Sequence, residues 1–331
     1  MKPGSTDHER PKWEHWAAAA NDALGPIQSE LEQAANGSDF PVVHVVGPPR
    51  SGTTLAMQIA TSATDIGYIS NFAAAFWKAP ALGVLISRHL IGENRSSEFK
   101  SEYGQTSGPH EPHEFGRFWR SSLGYRSMKR SDHDPDLLDV DRVAQTLRSV
   151  GWAWQRPVAF KSFLAVWHLA DLFRVLPNSV IVRVHRDPCD VALSHWRMYT
   201  KRLARGDKWE SMLPHLPGSL DNMGLEYRVA AQVLQIESDI EEQVRKLPTS
   251  NVLDVRYEQL AKSPMDFVEE LRDRLTQRGH MIDVRGVSGF QYVAASRASN
   301  EERDWMTGVI MTVASEHLRD ARSTMGFDGG P

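Results

Sequence analysis

The sequence predicts a three-layer α/β protein, a central parallel sheet with helices on both faces. Three observations carry this reading. Residues 42–46, 158–160, 179–185 and 251–256 are short apolar runs, mostly β-branched and bounded by Gly, Pro or polar residues, as buried strands are. Helical spacing follows each of them, and strand–helix alternation at this interval builds βαβ units. No linker or shift in composition divides the chain. Residues 41–331 therefore read as a single α/β domain with insertions around 66–135 and 204–224, preceded by an N-terminal arm and helix over residues 1–40.

The elements follow in order. Residues 14–35, rich in Ala, Glu and Gln, predict one helix closed by Gly37 and Ser38. After the strand at 42–46 comes a Gly/Pro loop. From Thr53 the spacing of Leu55, Met57, Ile59 and Ala60 predicts a helix packed on the sheet. Residues 66–92 predict one or two helices broken at Pro80, and 93–115, polar with Gly, Pro and His, an irregular stretch. A short helix is expected at 115–123, a mobile charged surface segment at 126–139, and a helix at 139–154. Beyond the strand at 158–160 come a helix at 164–176, a turn at Pro177 and Asn178, the strand at 179–185 and a helix at 190–203. Residues 206–224 read as a loop, 226–247 as a long helix, and 265–277 as the helix after the last strand. The tail over 286–331 has mixed character.

Composition narrows the function. A formal net charge of -4 argues against general nucleic-acid binding, which needs a broad basic field. The one cysteine, Cys189, cannot form an internal disulfide and fits a reducing compartment; it reads as a small buried filler. The first residues are charged where a leader would be apolar, and no run approaches the roughly 18 apolar residues that span a bilayer. The expectation is a cytoplasmic protein with no membrane span; whether it is a homo-oligomer stays open.

The first chemical signal is Gly47-Pro48-Pro49-Arg50-Ser51-Gly52-Thr53-Thr54, a loop between a buried strand and a helix. The first helical turn leaves backbone N–H groups unpaired and its dipole favours negative charge. Gly52 lets the backbone curl close to an anion, Arg50 can fork onto phosphate or sulfate oxygens, and Ser51, Thr53 and Thr54 add hydroxyls. The glycine spacing is that of a P-loop, so the fold is P-loop-like, but Thr53 stands where the triphosphate-binding loop has its Lys. Anion binding survives, and the kinase or ATPase reading weakens.

The run Pro49-Arg50-Ser51-Gly52-Thr53-Thr54-Leu55 resembles the 5'-phosphosulfate loop of sulfotransferases that use 3'-phosphoadenosine-5'-phosphosulfate (PAPS). Arg at position 50 is similar to the tyrosylprotein and bacterial carbohydrate-type branch, where the cytosolic branch has Lys. The resemblance implies that Arg50 contacts the 5'-phosphate and the leaving oxygen. The cytosolic branch has an adenine-stacking Trp where this chain has Leu55, so adenine must be held differently.

A second strand delivers Arg186-Asp187-Pro188-Cys189-Asp190 to a turn, with Ser194 two helical turns later. Pro188 suits a first helical turn, and an Arg with a Ser hydroxyl suits a monophosphate. This segment resembles the 3'-phosphate motif of the same family, and Arg186 and Ser194 match its binding positions. The resemblance covers about residues 42–262. It implies a metal-independent sulfotransferase moving a sulfuryl group from PAPS to the hydroxyl of a carbohydrate or small metabolite, with adenosine 3',5'-bisphosphate as product.

Lys161 matches the Lys of a Lys-Thr-His run in the cytosolic branch, but Phe163 replaces its catalytic His. The segment 108–115 looks like an acidic stretch that enters the site in the carbohydrate-type branch, which makes Glu114 the first candidate base and Glu111 and His113 the next. Tyr257, in a Tyr-Glu pair after the last strand, is expected on the nucleotide side, and Arg297 as a further phosphate contact. His110 and His113 beside Glu111 and Glu114 make only a weak metal pattern, so none is expected. Trp77, Arg117, Phe118 and Trp119 fit either an acceptor cleft or the core. Two rivals remain: a P-loop kinase, and a nucleotide-binding protein of this fold without chemistry.

Overall fold

The computed structural model describes residues 10–93, 97–102, 104–203, 211–287, 289–290 and 298–318. Its centre is a five-stranded sheet: β1 (Val42–Val46), β2 (Gly67–Tyr68), β3 (Val158–Lys161), β4 (Val180–His185) and β5 (Val252–Arg256). The order is β2-β3-β1-β4-β5 and every pairing is parallel. All five residues of β1 are buried, as expected of a strand covered on both faces. Parallel pairing sends every strand's C-terminal end to one edge. β1 is flanked by β3 on one side and β4 on the other, the chain crosses over it from β3 to β4, and the crevice at such a switch of strand order is where α/β sheets bind ligands.

Helices cover both faces. α1 (Arg10–Ala23) and α2 (Gly25–Ala34) replace the single helix expected over 14–35: Pro26 lacks an N–H and sits in the first turn of α2. α3 (Thr53–Ala63) follows β1 and packs on β1 and β3. Residues 66–79 form β2 and a single 3-10 turn, and Pro80 opens α4 (Pro80–Leu90) instead of breaking it. α5 (Gly116–Ser122) and α6 (Val140–Trp154) fall where expected, and Asp139 caps α6 by accepting from the Arg142 N–H. α7 (Leu169–Val175) precedes β4, and α8 (Pro188–Leu203) and α9 (Leu225–Val244) follow it. α10 (Tyr257–Lys262) starts directly from β5, α11 (Pro264–Thr276) packs against α3, and α12 (Asn300–Glu316) lies on α8 and α9. The main core surrounds the sheet. A second apolar cluster joins α8, α9 and α12 through Val191, Leu193, Val233, Met306, Ile310 and Val313.

Residues 126–139 are not the loose segment expected. Arg126 pairs with Asp134 at 2.8 Å and Arg130 with Asp239 at 3.0 Å, while Lys129 forms a bridge with Leu213. Charged residues without a period made the stretch look solvated; here Arg126 is bound to a local carboxylate and Arg130 to one on α9. Phe118 and Trp119 are core, with the Trp119 Nε1–H donating to the Lys161 carbonyl at 3.0 Å, and Trp77 is buried under the Arg117 guanidinium.

Three histidines sit neutral in this interior. His44 in β1, His168 before α7 and His195 in α8 are buried, and desolvation lowers them to about 4, about 4 and about 3 from an ordinary 6.5. Their folded values lie below the unfolded one, so the unfolded chain binds more protons between the two. Stability is therefore intact above pH 6.5 and falls as pH drops, by up to about 1.4 kcal/mol per pH unit for each imidazole. The melting temperature should drop by several degrees between pH 7.5 and 5.0. A flat profile over that range in a thermal-melt series would contradict this account.

Candidate active site

The ends of β1, β3, β4 and β5 bring four segments to one cavity of about 530 Å³. From β1 comes the loop 47–52. Gly52 caps α3 with φ 108°, a left-handed conformation that suits glycine, and a Cβ there would lie 2.4 Å from Tyr257 Cδ2. Arg50 is also left-handed, at φ 74°, which costs about 1–2 kcal/mol for a residue with a side chain. Two contacts hold it: its carbonyl accepts from Arg186 Nη1 at 3.1 Å, and its Nε donates to Ser194 Oγ at 3.1 Å. Strain maintained in this way is typical of a binding loop.

From β4 comes Arg186, whose guanidinium lies 4.2 Å from the Tyr257 ring centroid, a cation–π stack. Tyr257 is the first residue after β5, so its ring is clamped between Arg186 and Gly52. α8 then carries Asp190, Ser194, Arg197 and Lys201 along the cavity wall at helical spacing. From β3 comes Lys161, whose ammonium donates to Thr54 Oγ1 at 2.8 Å and forms an ion pair with Glu114. Gly104 closes this corner: its carbonyl accepts from Thr54 Oγ1 at 3.3 Å. The result is a cleft with cations at both ends and two carboxylates, Glu114 beside Lys161 and Asp190 on α8.

A sequence model described as the sulfotransferase family matches residues 41–277. The chain belongs to the sulfotransferase family. Among solved structures it is similar to sulfotransferase STF9 from Mycobacterium avium, with TM-score 0.53 and 13% identity over 96% of this chain and 79% of that one. Sulfotransferase STF1 from Mycobacterium tuberculosis H37Rv gives TM-score 0.48 and 15% identity over 89% and 81% of the two chains. At 13% identity, the likeness to STF9 shows the fold alone. No curated protein sequence matches the chain significantly.

In this chain, Arg50, Gly52, Thr53, Thr54, Glu114, Lys161, Arg186, Ser194 and Tyr257 all line the cavity. Ser51 does not. Its hydroxyl is buried under the loop, in the space that a Cβ on Gly47 would fill. Glu111 is also off the wall: its carboxylate accepts from Gln58 Nε2 at 3.0 Å, Ser97 Oγ at 3.1 Å and the Glu98 N–H at 3.0 Å, pinning the loop behind the site. His113 turns its Nδ1 to the Phe115 N–H at 2.8 Å and lies outside the lining; burial lowers its pKa, with Glu114 opposing the shift. Arg297 lies outside the described residues. Among those residues, no group of three or more His, Cys, Asp or Glu is arranged to hold a metal ion, and no helix is long and apolar enough to cross a membrane.

Sequence reasoning missed Phe99, Lys100, Ser101 and Gly104, which sit in an aperiodic stretch with no signal. It also missed Arg197 and Lys201, which spacing from Ser194 could have found. Gly52→Ala should abolish nucleotide binding and lower stability by about 1–2 kcal/mol, because φ and the Tyr257 ring both oppose a Cβ. Urea melts with and without adenosine 3',5'-bisphosphate would check this; a variant still stabilised by the nucleotide refutes it.

Proposed function

We propose that this protein transfers the sulfuryl group of PAPS to an acceptor hydroxyl, on a carbohydrate or small metabolite. The observation that carries the reading is the convergence of Arg50, Lys161, Arg186 and Ser194 on one cavity. The residues fit the nucleotide: the cavity has a left-handed glycine at a helix N-terminus, a stacked arginine and a hydroxyl, as two separated phosphates would need. Leu55 and Phe99 offer an apolar wall for the base.

Bound PAPS would supply a sulfuryl group on a phosphate leaving group. Arg186 and Ser194 would hold the 3'-phosphate, and Thr53, Thr54 and the start of α3 the 5' end. Lys161, already on Thr54, is placed to offset charge that develops on the leaving oxygen. Glu114 is within contact of that same ammonium, so one corner holds both the proton acceptor and the electrostatic stabiliser. As the acceptor oxygen bonds to sulfur and the sulfur–oxygen bond to the 5'-phosphate breaks, Glu114 takes the hydroxyl proton. Arg50 reaches Ser194 and so bridges the two phosphate regions. The Arg in the loop and a carboxylate base in place of a His favour the tyrosylprotein and carbohydrate-type branch. The single cysteine fits a cytoplasmic enzyme.

Adenosine 3',5'-bisphosphate should raise the melting temperature and ATP should not; the reverse order, with turnover dependent on Mg²⁺, would favour a kinase. Glu114→Gln should lower kcat by about 10²–10⁴-fold while leaving bisphosphate affinity near wild type. Near-normal turnover of that variant would remove Glu114 from the role. Arg186→Ala should weaken bisphosphate binding by about 10–100-fold, the worth of a charge-assisted phosphate contact, as read by calorimetry.

A further inference from the structure

The cavity contains a carboxylate that an anionic ligand would meet unfavourably. Asp190 stands one helical turn before Ser194 on α8, and both line the cavity. Its side chain is only 6% exposed, so water screens it poorly. Asp187 adds a second negative charge next to Arg186. Left alone, the pair would repel a phosphate at Arg186 and Ser194 and compete for the Arg186 guanidinium.

Arg303, in the second turn of α12, answers both. Its Nη1 lies 2.6 Å from Asp190 Oδ1 and its Nη2 2.6 Å from Asp187 Oδ2, one fork shared between two carboxylates. The two hydrogen bonds raise its pKa further, Asp187 first and Asp190 next. α12 is fixed in place for this. Ser299 and Glu302 form a reciprocal cap, Glu302 pairs with Arg197 of the cavity wall at 2.6 Å, and the Arg303 carbonyl accepts from Cys189 Sγ at 3.4 Å. Met306, Val309, Ile310 and Val313 bury the rest of the helix against α8 and α9. This helix lies beyond residues 41–277, the part that matches the family.

We propose that Arg303 is a positioning residue for the donor site, cancelling the charge of Asp187 and Asp190 so that the Arg186 turn and Ser194 can accept an anion. The inference rests on the nucleotide reading given above. Asp187 orders the turn by accepting from the Cys189 N–H at 2.8 Å, and Asp190 is the interior group that Arg303 can reach. The two carboxylates and the arginine thus form one unit, and the donor site depends on a helix that reaches it through the charges of Arg303 and Glu302 and through the 298–299 corner.

The test is calorimetric titration of the full chain with adenosine 3',5'-bisphosphate and, in parallel, with pyrophosphate. Arg303→Gln should weaken both ligands by about tenfold or more, and adding Asp190→Asn should restore most of the loss. Asp190→Asn alone should bind as tightly as wild type or tighter, which keeps the proposal testable if Arg303→Gln does not fold. A purely structural role would show as a lowered melting temperature with no recovery in the double variant. Arg303→Gln within twofold of wild type, a double variant with no recovery, or weaker binding by Asp190→Asn alone would each overturn the proposal. If wild type binds pyrophosphate but not the bisphosphate, the nucleotide reading fails, and the pyrophosphate series still decides the role of Arg303.

Discussion

The clamp of Tyr257 between Gly52 and Arg186 is the contact on which the rest of the site depends. It joins the ends of β1, β4 and β5 at one point. Gly52 must lack a side chain because the tyrosine ring occupies that space. Arg186 is held above the same ring and reaches the Arg50 carbonyl. The left-handed turn at Arg50 is thereby held from outside the loop. A binding loop shaped by its neighbours before any ligand arrives loses less entropy on binding than one that must order itself.

The same economy governs the charges. Several cations outside the cleft are matched to nearby acids: Arg88 and Arg156 to Glu93, Arg183 to Glu241, Arg142 to Glu32. Within the cleft the balance is reversed. Glu114 is bound to Lys161, and Asp190 is neutralised by Arg303 from another helix. Among the described residues, both carboxylates that line the cleft are held by a cation. A carboxylate paired in this way can sit beside arginines and a helix N-terminus without making the cleft repel an anion.

The four longer strands and most helices were legible in the sequence because apolar runs and 3.6-residue spacing report burial directly. β2 was not, since two residues, Gly67 and Tyr68, carry no period. The break between α1 and α2 was spelled by Gly25-Pro26 and was overridden by the Ala-rich composition around it. In the site, the positions set by strand–turn–helix context were legible: Arg50, Gly52, Arg186 and Ser194 follow strands that deliver them. Phe99, Lys100, Ser101 and Gly104 were not, because no period marks them, and Glu111 was read as a site residue because spacing alone cannot tell an inward carboxylate, bonded to Gln58 and Ser97, from one that faces the cleft, as Glu114 does. α12 was missed although Ser299-Asn300-Glu301-Glu302 carries the sequence of a reciprocal helix cap.

The brevity of β2 has an effect at the sheet's margin. Gly67 lies against the Trp154 side chain, where a Cβ would come within 2.5 Å of the indole, and Trp154 Nε1 donates to the Tyr68 carbonyl at 2.9 Å. The outermost strand is thus two residues long, with one of its polar groups occupied by an indole. At the opposite margin, β5 turns Asp254 and Arg256 outward. Short length at one border and alternating charge at the other discourage a neighbouring molecule from adding its own strand, so the parallel sheet is protected from growth into a cross-linked aggregate.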